Sequence, residues 1–196
     1  SNYLDISNKV TAGTYEITLY KNEKGKLTKL ANSKNLIVEQ IRKGTLTNPL
    51  ENEHEDYFVE LADLTKAITI STHEFGKANA KLKSYQKNLT YLTKERATLT
   101  KKVYELIEEM NKLKLAMNGS EAKKKIGEKT EPTLENYLWK ARGSNNSYGP
   151  TPLHMENYEI AKTLYDKMLP KLTNYLKEVE KLETLFEKNG APIILD

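Results

Sequence analysis

The stretch Leu82-Lys83-Ser84-Tyr85-Gln86-Lys87-Asn88-Leu89-Thr90-Tyr91-Leu92-Thr93-Lys94-Glu95-Arg96-Ala97-Thr98-Leu99 decides how the chain folds. Leu82, Tyr85, Leu89 and Leu92 are spaced by threes and fours, as on one buried face of a helix. The spacing extends backward through Ala78, Phe75, Ile68, Leu64, Leu61 and Tyr57, with Ser71 filling one polar step. It resumes after Arg96 through Leu99, Val103, Leu106, Met110, Leu113 and Met117. A seam this regular implies coiled-coil-like packing. One continuous helix over 57–117 would be roughly 90 Å long at the usual helical rise. It would need a second chain to cover its seam, whereas an antiparallel hairpin covers it alone. Asn88, Thr90, Thr93 and Thr98 are poor helix formers and Arg96 breaks the apolar register, so the pattern predicts a turn within 88–98.

Outward from the seam, Asn118-Gly119 has the form of a helix C-cap. A polar loop is expected from there to Glu131. Pro132-Thr133-Leu134 then opens a short helix carrying Tyr137, Leu138 and Trp139, and Gly143 to Pro152 reads as a loop. The last helix is expected from about Leu153, with Ala161, Tyr165, Met168, Leu172, Leu176, Val179, Leu182 and Phe186 as its stripe. Pro170 inside it kinks the helix or removes one hydrogen bond, and Gly190 and Pro192 stop it. Ile193-Ile194-Leu195 is a short apolar tail suited to joining a sheet.

The N-terminal portion reads differently. Thr14 to Tyr20 is rich in β-branched and aromatic residues, and Asn22-Glu23-Lys24-Gly25 is a turn signal. Leu27 to Leu30 and Leu36 to Ile41 read as returning strands. A lone hairpin is marginal in water, so this piece must pack on the helices or belong to a larger sheet. Gly44 to Pro49 reads as a linker. The expected fold is mainly α: an antiparallel three- to four-helix bundle with a small N-terminal β segment. The domain boundaries that follow are 1–49 for the β segment and linker and 50–196 for the bundle.

Composition narrows the function classes. Only 38% of the 196 residues are apolar and 30% are charged, as long amphipathic helices require. The 31 Lys and Arg are interleaved with 27 Asp and Glu, for a net charge of +4. A nucleic-acid binder gathers its cations on one face, and Lys123-Lys124-Lys125 is the only basic run, so no nucleic-acid partner is expected. The absence of cysteine excludes disulfides, thiolate catalysis and Cys-based zinc sites. No apolar run has the length of a membrane span. The start at Ser1-Asn2-Tyr3, without Met, reads as a cut within a longer protein.

No catalytic constellation emerges. Glu53-His54-Glu55-Asp56 holds metal-ligand residue types, but adjacent helical positions point to different faces, and a solvated acidic first turn explains them better. His73 lies off the seam, and His154 sits in the first turn of the last helix. No phosphate-binding glycine loop or nucleophile elbow is present. No catalytic residue, metal site or cofactor is therefore expected. The one aromatic and cationic group that invites attention is Tyr137, Trp139, Arg142 and Tyr148, which would stack on a sugar or grip a partner protein. A small core fastening the loop to the bundle is the alternative. Asn88, Asn118 and Asn145 begin Asn-x-Ser/Thr triplets, a weak signal in an Asn-rich chain.

Asn118-Gly119-Ser120-Glu121-Ala122-Lys123, Gly127-Glu128-Lys129, Pro132 to Trp139 and Tyr148-Gly149-Pro150-Thr151-Pro152 form a series, followed by Tyr158-Glu159-Ile160-Ala161 and Gly190-Ala191-Pro192. Together they resemble the C-terminal region of large secreted bacterial β-propeller proteins of the sortilin-type or BNR-repeat (Asp-box), glycosyl hydrolase-like kind. In that family a Pro-Gly-Thr-Tyr strand motif precedes the helices, and Ala12-Gly13-Thr14-Tyr15 matches it with Ala in place of Pro. The resemblance implies that residues 1–49 are the remnant of a β-sandwich and that the propeller of the same parent chain is the main partner. It also implies a secreted, periplasmic or cell-surface location. No catalytic residue carries over, because no propeller motif lies in the chain. The expected role is a non-catalytic accessory module. The alternatives are a carbohydrate-binding or glycosidase-associated domain and a coiled-coil dimerisation scaffold.

Overall fold

The structure, a computed structural model, describes residues 12–39, 54–142 and 150–190. The chain divides into two units: Ser1–Glu60 with Asn145–Pro150, and Leu61–Ser144 with Thr151–Asp196. The expected linker Gly44–Pro49 and the tail Ile193–Leu195 lie outside the described residues.

In the first unit, β1 (Gly13–Ile17), β2 (Tyr20–Glu23), β3 (Lys26–Lys29) and β4 (Lys34–Val38) form nested antiparallel pairs, β1 with β4 and β2 with β3. The inner hairpin closes through Lys24 and Gly25, both at positive φ (50° and 87°). This is the primed turn geometry that matches strand twist. The Asn22 side chain accepts the Gly25 N–H at 3.1 Å and steadies it. Between the two pairs the ladder slips: Ile17 faces Lys34, but Tyr20 already faces Lys29. The unequal stretches 18–19 and 30–33 are tied by the Thr18 and Ser33 hydroxyls at 2.7 Å and by the Leu30 N–H donating to the Leu19 carbonyl at 2.8 Å.

The helical elements are α1 (His54–Asn88), a 3-10 turn (Leu89–Tyr91), α2 (Arg96–Asn118), α3 (Glu121–Lys125), α4 (Leu134–Arg142) and α5 (Pro152–Lys188). The hairpin turn falls at 89–95, inside the expected window, so the continuous helix over 57–117 is not formed. Glu95 takes the left-handed conformation (φ 51°) that neither Gly nor Pro announces in the sequence. The Thr93 N–H and hydroxyl both donate to the Asn189 carbonyl, at 3.4 and 3.1 Å, clasping the turn to the end of α5.

Pairs between helices fix their directions. Ser71 meets Tyr165, Asn79 meets Tyr175 and Lys81 meets Glu183, so partner numbers rise together and α1 and α5 run parallel. Thr93 meets Asn189 and Lys102 meets Glu178, so α2 runs antiparallel to α5. The long helices α1, α2 and α5 pack together into a mainly helical bundle, with α4 against α5 and α2. The seam residues from Leu61 to Met117 are buried except Ile68 and Met110, which are half-buried, and the polar step Ser71 is spent on a 2.8 Å hydrogen bond to Tyr165.

Two expectations need correction. The stripe on α5 runs through Tyr175, which is fully buried against Phe75, whereas Leu176 is half-buried. Period alone cannot choose between neighbours when one is an aromatic ring large enough to fill the gap. The loop 119–131 also contains α3, nucleated by Ser120, whose hydroxyl accepts the Lys123 N–H. This is an ordinary N-cap, readable in Ser120-Glu121 but masked by the polar run around it.

Candidate interaction site on α4

Helix α4 is short, so its position depends on its ends and one face. Thr133 caps it: Asn136 Oδ1 accepts both the Thr133 N–H and its hydroxyl at 3.0 Å, and the Asn136 N–H donates back to the Thr133 hydroxyl at 3.4 Å. Leu134, Leu138 and Ala141, spaced by four and three, are buried and anchor the helix. Gly119 helps set the approach of this segment. A Cβ there would lie 2.9 Å from the Thr133 methyl, and its φ of 74° with ψ of −174° belongs to glycine alone.

On this platform Trp139 is 72% exposed. The small-core alternative therefore does not hold for the indole. Tyr137 lies two positions back, about 200° around the helix, and is half-buried; Lys140 Nζ stands 5.8 Å from the centre of its ring. Tyr137 and Trp139 thus face different directions. Arg142, half-buried, is three positions beyond Trp139 and shares its side of the helix. Tyr148 lies outside the described residues. Of the four expected residues, α4 presents Trp139 with Arg142 and directs Tyr137 elsewhere.

Other candidates resolve into structure. His154 and Thr151 form a reciprocal cap on α5: the Thr151 N–H donates to His154 Nδ1 at 3.0 Å and the His154 N–H to the Thr151 hydroxyl at 3.4 Å. His73 is exposed beside Glu74. The side chain of His54 lies outside the described residues. Asn88, head of one Asn-x-Thr triplet, is buried. Among the described residues no group of His, Asp and Glu is arranged to hold a metal ion, and no helix is long and apolar enough to cross a membrane.

The polar layer between the long helices escaped the sequence reading. The Tyr175 O–H donates to Asn79 Oδ1 at 2.7 Å, and burial pushes its phenol well above the usual tyrosine range. The Tyr85 hydroxyl is buried without a partner; burial first, then the Glu183 and Glu187 charges, push it up to about 12. Glu178 lies below the usual carboxylate range because Lys181 and Lys102 bond its charged form. Each pair lies 90 or more positions apart in sequence or joins surface charges of common type, so only the helix register discloses it.

No family model, curated protein or solved structure matches the chain.

Proposed function

We propose that the chain is a non-catalytic accessory module that braces a larger protein, by resemblance a secreted β-propeller protein, or holds a surface out to another protein. One observation carries the reading. Helices α1 and α5 run parallel and are held in one register by buried or half-buried polar pairs, Ser71–Tyr165, Asn79–Tyr175 and Lys81–Glu183. A purely apolar seam tolerates sliding by a turn, whereas a polar layer fixes one register. With 37 residues, α5 alone spans roughly 55 Å, so the bundle is a stiff strut. The propeller as the braced partner rests on the residues quoted between Asn118 and Pro152.

The test removes residues 54–190 from the natural full-length product. A brace predicts a lower unfolding midpoint for the remainder, with activity per folded molecule unchanged. An unchanged midpoint, or lost activity with stability kept, overturns it.

Carbohydrate association is the second reading, supported by the exposed indole of Trp139 beside Arg142. An open indole face stacks on sugar rings as well as on protein. Trp139 is the only tryptophan, so its emission reports directly. Saturable quenching across a panel of oligosaccharides, lost in Trp139→Ala, supports this reading; a flat response through millimolar sugar removes it.

A further inference from the structure

The β ribbon offers an interaction surface of a different kind, independent of the bracing role. Cross-strand pairing puts Tyr15 and Ile17 of β1 on one face with Leu36 and Val38 of β4. Ile17 is 53% exposed and Leu36 46% exposed, so the face lacks a full cover. Among the described residues, each strand pairs on one side only, which leaves the outer edge of β3 and β4 open. Two strands seldom suffice for stability in water, and a third is the usual remedy.

Charge says what kind of strand fits. From Lys24 to Val38 the chain carries Lys24, Lys26, Lys29 and Lys34 and no acidic residue. The opposite strands hold Glu16 and Glu23, and Glu23 is engaged by Lys21 at 2.6 Å. None of the four lysines on the returning side is ion-paired among the described residues; Lys29 only donates to the Ser33 hydroxyl. A second copy joined through the same β3–β4 edge would set lysine strand against lysine strand, and like charges opposed across a sheet are destabilising. Lysine on an edge serves in part to prevent such self-pairing. A strand alternating acidic and apolar residues meets no such penalty. Its backbone completes the ladder and its apolar side chains extend the Tyr15–Leu36 face, which the flexible Lys34 shares. Lys26 and Lys29 stand on opposite faces of β3, so one of them meets the carboxylates directly and the other lysines attract them at longer range.

We infer that the β3–β4 edge is a strand-addition site for an extended acidic segment of a partner protein. The probe is an alternating Glu/Val peptide titrated against the full chain. The expected result is saturable binding that weakens with salt and adds amide protection within 26–38. Charge reversal at Lys26, Lys29 and Lys34 to Glu lowers affinity by about tenfold or more. A peptide N-methylated at alternate residues, which keeps its charge but cannot extend a ladder, does not bind. This control needs no altered protein, so it stands even if the reversed variant loses its ribbon. The inference fails if the N-methylated or an alternating Lys/Val peptide binds equally, or if no peptide binds at millimolar concentration. It also fails if mass measurements show copies pairing through the ribbon, or if anionic phospholipid vesicles take up the chain and the peptide does not compete.

Discussion

In the bundle, Leu82, Tyr175 and Leu182 are withdrawn from solvent, while in the ribbon Leu27 and Ile37 keep 64% and 68% of their surface exposed. Both regions carry apolar residues in regular alternation. The difference lies in where the backbone finds its partners. A helix satisfies its interior N–H and C=O groups within itself, so α1, α2 and α5 need only bring their stripes together. A two-stranded ribbon leaves an unpaired row of polar groups along each edge and has too little area to bury a core. Among the described residues, the buried core therefore resides in the bundle and not in the ribbon.

The sharpest way to break this contrast is to remove one large side chain from each region. Phe186 is buried against the Tyr85 ring, with centroids 4.9 Å apart. Phe186→Ala is expected to cost about 3–5 kcal/mol in denaturant unfolding. Leu27→Ala, at an exposed ribbon position, is expected to stay within about 0.5 kcal/mol. Comparable losses would mean that the ribbon shares the bundle's core.

Alkali attacks the bundle from within. Tyr85 is raised to about 12 from an ordinary 10.0, chiefly by burial. A raised value means that its contribution is complete below pH 10 and is lost as pH climbs toward 12. The full loss is about 3 kcal/mol by linkage, and Tyr175, raised by burial, acts in the same direction. Circular dichroism across this range should show unfolding of the helices. Tyr85→Phe should flatten the profile and, by removing an unpartnered hydroxyl, add about 1 kcal/mol at neutral pH.

Two substitutions of intermediate size separate register from packing. Asn79→Ala strands the buried Tyr175 hydroxyl and is expected to cost about 1–3 kcal/mol, of which Tyr175→Phe in the same chain recovers a large part. Gly119→Ala meets a glycine-only backbone conformation and the Thr133 methyl, and is expected to cost about 1–3 kcal/mol. Because this contact lies between the ends of α2 and α4, the loss should be accompanied by a shift in Trp139 emission. An unshifted spectrum would mean that α4 is placed by its buried face alone.

How far the sequence discloses this architecture follows the same division. The seams on α1 and α2 are legible because burial repeats with the helical period, and the Lys24-Gly25 turn because few residues tolerate positive φ. The hairpin turn was legible only as a weak patch, since Glu95 adopts the left-handed conformation without a glycine. Tyr175 was missed because Leu176 satisfies the period equally well and only three-dimensional volume favours the ring. On α4, positions 137 and 139 lie about 200° apart around the helix, so closeness along the chain separates their side chains in space. The ribbon edge, open among the described residues, was legible as a marginal hairpin, while the slip between Ile17 and Tyr20 depends on cross-strand ties that no local pattern encodes.

The smallest effect is expected at the charged rim of the bundle. Glu178 on α5 bonds Lys102 of α2 at 3.1 Å and Lys181 of its own helix at 2.6 Å. The hydrogen bond from Lys181 and then that from Lys102 hold its carboxyl below the ordinary 4.5, against a smaller opposing effect of burial. A lowered value contributes stability that is complete above the ordinary value and lost as pH falls below it. Partly exposed pairs of this kind contribute about 0.2–1 kcal/mol and weaken in salt. Glu178→Gln should therefore cost that little at neutral pH and progressively less as pH falls below the ordinary carboxylate range. Lys181→Met should cost less than Lys102→Met, because Lys181 and Glu178 share a helix while Lys102 and Glu178 join two. If the order is reversed, the contact across the α2–α5 interface is not part of what holds the bundle in register, and the buried tyrosine pairs carry that role alone.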